Sequence, residues 1–123
     1  MLRSKSSIKK KFNKIFSYVY FLVESLTYSI RLKIINEIPN LKHKKILDIC
    51  CGTGINSLIL AEQGANVIGI DLSKNQIELA NKRKEEHQNL ILKYQVMDAE
   101  SLDFSDDSFD FFYLLLVFMK LGL

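Results

Sequence analysis

Lys45-Ile46-Leu47-Asp48-Ile49-Cys50-Cys51-Gly52-Thr53-Gly54 changes character within ten residues, and again just after them. Lys45 to Cys50 is an apolar, β-branched run interrupted by one carboxylate, which predicts a buried strand. Cys51 to Gly54 predicts a turn, because two glycines free the backbone for conformations a Cβ would oppose. Ile55 to Gln63 predicts a helix, with Gly64 as its C-cap. A strand, a glycine turn and a helix in immediate succession make up the first half of a βαβ unit.

Outward from this stretch the alternation continues. Asn66 to Ile70 predicts a second strand ending at Asp71. Ser73-Lys74-Asn75-Gln76 matches a capping box and opens a helix to about His87. Leu90 to Val96 predicts a third strand, Asp98 to Asp107 an acidic loop, and Phe109 to Phe118 a fourth strand. The fourth is apolar almost throughout and is therefore expected to be buried on both faces. Strands alternating with helices predict an α/β protein with a doubly wound parallel sheet.

Upstream, Ile8, Phe12, Ile15, Phe16, Val19, Leu22, Val23 and Leu26 recur at helical spacing, with Lys9, Lys10, Lys11 and Lys14 between them. One or two amphipathic helices are expected between about Ser7 and Ile38, ending before Pro39. The expected organisation is an N-terminal helical cap over residues 1–40 and a main domain over 41–123. Residues 1–45 carry eleven Lys/Arg against two acids, and residues 46–123 six against twelve, so a basic end adjoins an acidic body. The basic helix suits a cap packed on the domain or a peripheral contact with an anionic membrane. The net charge of +3 is too small to imply a nucleic-acid partner. Cys50 and Cys51 are adjacent, a poor arrangement for an unstrained disulfide, and no Cys/His spacing suggests a metal. A reduced, cytoplasmic protein without a signal peptide is expected.

Ligands of open parallel sheets bind beyond the carboxyl ends of the strands. Asp48 with the Gly52-Thr53-Gly54 turn, Asp71 and Asp98 stand at the ends of the first, second and third strands. Asp71, at the tip of the strand beside the glycine turn, can accept from both hydroxyls of a ribose. Ser57 replaces the third glycine of G-x-G-x-x-G, which weighs against a dinucleotide.

Taken together, Ile46 to Gly54, Gly69-Ile70-Asp71-Leu72-Ser73, Asp98-Ala99-Glu100-Ser101-Leu102 and Ser108-Phe109-Asp110 resemble, in order, the motifs of class I S-adenosylmethionine-dependent methyltransferases. The resemblance runs from about Lys45 to Lys120. It implies a Rossmann-like sheet and S-adenosylmethionine as cofactor. It also implies that Asp48 and the backbone of Cys50, Gly52, Thr53 and Gly54 hold the amino-acid end, and that Asp71 holds the ribose. Leu72 would lie on the adenine face, with Asp98 and the Ala99 N–H meeting adenine's polar edge. No catalytic base is indicated, and the methyl acceptor is expected to be a small molecule. The cap loosely resembles that of quinone-biosynthesis methyltransferases. The family's sheet has seven strands, so the fold is expected to be incomplete after the fourth, leaving an apolar edge for a partner chain. The competing readings are an NAD(P)-binding oxidoreductase domain and a non-catalytic interaction module.

Overall fold

The computed structural model describes residues 5–114, in two compact units, residues 1–34 and 35–123. Most of the first unit is one unbroken helix, α1 (Lys5–Asn36), where the sequence admits one or two. No Gly or Pro interrupts this span. Within it the Thr27 hydroxyl donates to the Val23 carbonyl (2.7 Å), and Arg31 Nε donates to Thr27 Oγ1 (3.0 Å). Ile15, Val19, Leu22, Leu26 and Ile30 are exposed and fall on one stripe of the helix at i, i+4, i+7, i+11 and i+15.

The second unit alternates as the sequence predicts: β1 (Lys45–Ile49), α2 (Ile55–Glu62), β2 (Asn66–Asp71), α3 (Lys74–Lys84), β3 (Leu92–Val96) and β4 (Phe111–Tyr113). The strands form one sheet in the order β3-β2-β1-β4, every pair parallel. The two helical crossovers step the same way across the sheet, so right-handedness puts α2 and α3 on one face. That face carries Ile46 and Asp48, Val67 and Gly69, Leu92 and Tyr94. Asp48, Gly69 and Tyr94 are neighbours in register on it. Ile46, Val67, Ile59 and Leu60 are among the fully or nearly fully buried side chains. Burial of a side chain of this size contributes about 1.5–3 kcal/mol.

On the opposite face Leu47, Ile68 and Phe112 lie in register. The loop leading to β4 covers them in part through Phe104 and Phe109, whose rings meet edge to face at 5.0 Å. Hollows of about 630 and 510 Å³ remain there. β4 is pinned at its start by Asp110. Its Oδ2 accepts the Lys45 N–H (2.8 Å), and its own N–H donates to the Lys45 carbonyl (2.8 Å).

β3 starts at Leu92 rather than Leu90 and β4 at Phe111 rather than Phe109, and α3 and β4 differ further from expectation. α3 ends at Lys84 rather than near His87. The capping box is half made: Ser73 Oγ accepts the Gln76 N–H (3.4 Å), but the Ser73 N–H is taken by Asp71 and Gln76 Oε1 is buried without a partner. β4 is not buried on both faces over its described length. Phe111 and Phe112 are exposed, 43% and 65%, because β1 is the strand beside it and no described helix covers them. Residues 115–118 of the expected fourth strand lie outside the described residues.

Candidate functional site

The turn after β1 is built from left-handed residues. Cys50 (φ 56°), Gly52 (φ 56°) and Gly54 (φ 78°) all have positive φ. Glycine adopts this at no steric cost, whereas Cys50 carries a penalty of about 1–2 kcal/mol. The turn is tied to β2 by the Cys51 N–H donating to the Ile70 carbonyl (2.9 Å). α2 starts directly from it, the Leu58 N–H donating to the Gly54 carbonyl (2.9 Å). The positive end of α2 is therefore at the turn.

Asp71, at the carboxyl end of β2, is fixed from both sides. One oxygen accepts the Gly52 N–H (2.9 Å) and the other the Ser73 N–H (2.8 Å). A carboxylate offers about four acceptor sites, so each oxygen keeps capacity for a further donor. Asp48 differs. It is 1% exposed and accepts the Ser57 hydroxyl at 2.5 Å, so its side chain faces α2 beneath the turn rather than solvent. Its reach to a ligand is through charge and through the turn it underlies. Both carboxylates act on Cys50, whose thiol is pushed up from its ordinary range first by burial, then by Asp71 and Asp48. The turn thus carries charge of both signs: the two carboxylates on the Cys50 side, and the positive end of α2 with the Arg83 guanidinium on the Thr53 side.

The third strand brings the remaining expected residues to the same edge. The Met97 N–H donates to the Asp71 carbonyl (3.0 Å), joining the ends of β2 and β3. Leu72 stands out at 71% exposure, an apolar surface beside the pinned carboxylate. Asp98 is exposed. Its Oδ1 accepts the Glu100 N–H (2.9 Å) and its carbonyl the Ser101 N–H (3.0 Å), an Asx-type turn that presents Ala99 to solvent. Cys50, Gly52, Thr53, Gly54, Asp71, Leu72, Asp98 and Ala99 therefore gather at the carboxyl edge of β1, β2 and β3, with Asp48 below. Among the described residues no cluster of His, Cys, Asp or Glu is placed to hold a metal.

Three further residues contribute to this site without being marked as contributors by the sequence. Ser57, which reads there as a missing glycine, is the hydrogen-bond donor to Asp48. Tyr94 of β3 donates its hydroxyl to the Gly54 carbonyl at 2.8 Å. Arg83 of α3 donates to the Thr53 carbonyl (3.1 Å) and hydroxyl (3.2 Å). The available signal for Tyr94 is Gly69, a glycine inside a strand and in register with it. A Cβ on Gly69 would stand 2.7 Å from Ser57 Oγ and 2.8 Å from Tyr94 Cδ1. Arg83 gives no such signal, since its reach from the end of a helix is a tertiary fact.

The site suits an adenosine carrying a cationic chain. A pinned carboxylate matches a ribose diol, Leu72 offers an apolar face, and the turn supplies close backbone with the Asp48 and Asp71 carboxylates beside it. Residues 47–121 match the family model described as a methyltransferase domain. Among curated proteins, the chain is 42% identical over 81 residues to a ubiquinone biosynthesis O-methyltransferase of Coxiella burnetii, covering 66% of this chain and 34% of that protein. It is 30% identical over 108 residues to a demethylmenaquinone methyltransferase of Staphylococcus aureus, covering 85% and 43%. Among solved structures, the YcgJ protein of Bacillus subtilis superposes with a TM-score of 0.65 at 30% identity, over 70% of this chain and 37% of that one. A phosphoethanolamine N-methyltransferase of Haemonchus contortus, solved with phosphoethanolamine and S-adenosylhomocysteine, gives 0.65 at 30%, over 74% and 19%. The chain spans less than half the length of each of these relatives.

Proposed function

Because this chain belongs to the methyltransferase domain family, of the class I kind that uses S-adenosylmethionine, we propose that it binds this cofactor and serves methyl transfer to a small-molecule acceptor. The observation that carries the reading is the pinned Asp71 carboxylate beside the glycine turn at the start of α2. Ser57 stands where the dinucleotide fingerprint has its third glycine, and the family match is to a methyltransferase domain, so the oxidoreductase alternative is not favoured.

The cofactor supplies an already activated methyl group on a sulfonium centre, so positioning is the protein's main contribution. In this reading Asp71 accepts from the ribose hydroxyls, and Leu72 lies against the adenine, with Asp98 and the Ala99 N–H at its polar edge. The backbone of Cys50 to Gly54 lines the amino-acid end. Asp48 adds negative charge from beneath and orders the turn through Ser57. No side chain among the described residues is assigned as a base. Quinone precursors are the first acceptors to test, since the named curated relatives are quinone-pathway methyltransferases.

Titration with S-adenosylhomocysteine by calorimetry, with NAD as control, tests the reading. Saturable binding of the first alone supports it; binding of NAD instead, or of neither by the folded chain, overturns it. The cytoplasm is the proposed setting. As for α1, no helix among the described residues is long and apolar enough to cross a membrane. Its exposed apolar stripe and its lysines instead support a peripheral contact with anionic lipid. Salt-sensitive sedimentation with phosphatidylglycerol vesicles, absent with phosphatidylcholine, is the expected result. The outer edge of β4, with Phe111 and Phe112 exposed, is the proposed place for pairing with further strands, of this polypeptide or another.

A further inference from the structure

We propose that Tyr94 and Arg83 are positioning residues that hold the Thr53–Gly54 segment of the cofactor turn in its binding geometry, one from β3 and one from α3. The inference rests on the cofactor reading above and deepens it.

The turn is held from outside at successive backbone groups. The Cys51 N–H is held by β2, the Gly52 N–H by Asp71, the Thr53 carbonyl by Arg83 and the Gly54 carbonyl by Tyr94. The first two ties use groups at the carboxyl end of β2. The last two come from α3 and β3, elements that follow later in the chain. The Gly54 carbonyl already accepts the first hydrogen bond of α2 from Leu58. The Tyr94 hydroxyl is therefore not needed to satisfy a buried acceptor; its effect is to fix the direction of the peptide plane at the junction of turn and helix.

The placement of Tyr94 suits that task. The residue is buried, and burial first, with the charges near it second, pushes its phenol well above the ordinary tyrosine range. It stays a hydroxyl donor at every working pH. Its ring occupies the space over Gly54, where a Cβ would come within 2.4 Å of the hydroxyl oxygen, and it packs against Gly69 as well. Arg83 adds a guanidinium on the carbonyl and hydroxyl of Thr53, with a planar geometry that lysine lacks. Both ties engage carbonyl oxygens, so neither consumes a backbone N–H that a ligand's carboxylate would use. Preorganisation of this kind lowers the ordering cost that a ligand would otherwise meet.

The test compares the wild-type chain with Tyr94→Phe, Arg83→Gln, Arg83→Lys and a control, Ile77→Val, which trims a buried apolar side chain of α3 and removes no hydrogen bond of the turn. Two readouts are used: S-adenosylhomocysteine affinity, and amide hydrogen exchange at Thr53, Gly54, Ile55 and Leu58 in the ligand-free chain. Loss of the single Tyr94 bond in Tyr94→Phe, and of the two Arg83 bonds in Arg83→Gln, is expected to weaken affinity about 3–10-fold in each. Exchange at the four amides should rise in both, and Arg83→Lys should recover part of each effect. Ile77→Val should lower stability while leaving affinity and local exchange at wild-type values. Unchanged exchange at the turn in Tyr94→Phe and Arg83→Gln overturns the proposal, whether or not the wild type binds. Equal effects from Ile77→Val also overturn it, because they would reduce the role to general stability. Absence of wild-type binding with the exchange effects intact instead strikes the cofactor reading.

Discussion

Replacing Gly54 by alanine sets two costs at one atom. The residue has φ +78°, so any Cβ meets the left-handed penalty of about 1–2 kcal/mol. The same Cβ would lie 2.4 Å from Tyr94 Oη and 2.5 Å from Cζ, far inside van der Waals contact. The ring is buried between Gly54 and Gly69 and cannot swing into solvent, so it must shift and lengthen its bond to the Gly54 carbonyl. Overpacking of this sort costs about 1–3 kcal/mol and a weakened hydrogen bond about 0.5–1.5 kcal/mol. Alanine's smaller unfolded-state entropy returns about 0.5–1 kcal/mol. The expected net loss is about 2–5 kcal/mol, a large share of the roughly 5–15 kcal/mol typical of a domain. Urea denaturation measures it, and a double-mutant cycle with Tyr94→Leu divides it: without the ring, only the backbone penalty less alanine's entropic return, about 0–1.5 kcal/mol, should remain. A loss below about 0.5 kcal/mol in the wild-type background, or an undiminished loss in the Tyr94→Leu background, would refute the packing argument.

On the proposed reading of Asp71 as the ribose acceptor, Asp71→Ala should weaken S-adenosylhomocysteine binding by about 1–3 kcal/mol, read by calorimetry, through loss of those charge-assisted bonds and of the tie to the Gly52 N–H. Wild-type affinity in that variant would move the ribose elsewhere. Cys50→Gly should be neutral or stabilising by up to about 1 kcal/mol, the relief of a left-handed residue being partly offset by a more flexible unfolded chain; a clear loss in urea would show that the cysteine side chain matters more than its φ. Cys50, Cys51 and Tyr94 all have raised pKa values in the fold. Each favours its protonated form when folded, so their contribution is complete below the unfolded values and is lost as pH climbs from those towards the folded ones. Stability measured by denaturation should therefore fall steadily above about pH 8.5, and a flat profile to about pH 10 would contradict the burial assigned to these groups.

The sheet is legible in the sequence because its signals are local. Each strand of the 45–96 region is a short apolar run closed by a carboxylate or a polar turn, and the first two are each followed by a helix within a few residues. Asp71 and the Gly52–Gly54 turn can be placed at a common edge from strand order alone. β4 departs from expectation because apolar content in Phe109 to Phe118 predicts burial on both faces, whereas exposure at Phe111 and Phe112 depends on what lies beside them. The resemblance puts Asp48 at the ligand, and its inward turn to Ser57 follows from period-two alternation with Ile46, which faces α2. Tyr94 and Arg83 act across 40 and 30 residues of chain on single carbonyl groups. No spacing rule encodes such contacts, so they emerge only when the elements are packed.

The pairing of β4 with β1 has a consequence in time. β1 and β2 meet across residues 45–66, and β2 and β3 across 67–92, whereas β1 meets β4 across 46–111. Closing the longer loop costs about 1 kcal/mol more entropy than either shorter one, and β4 offers three paired residues in return. The three-strand, two-helix portion therefore has the means to assemble first, with the Asp110–Lys45 bridge closing late. During synthesis that portion leaves the ribosome ahead of Phe111. The carboxyl edge that carries the candidate site is built wholly from β1 to β3, so all of its residues are synthesised before the strand that completes the described sheet.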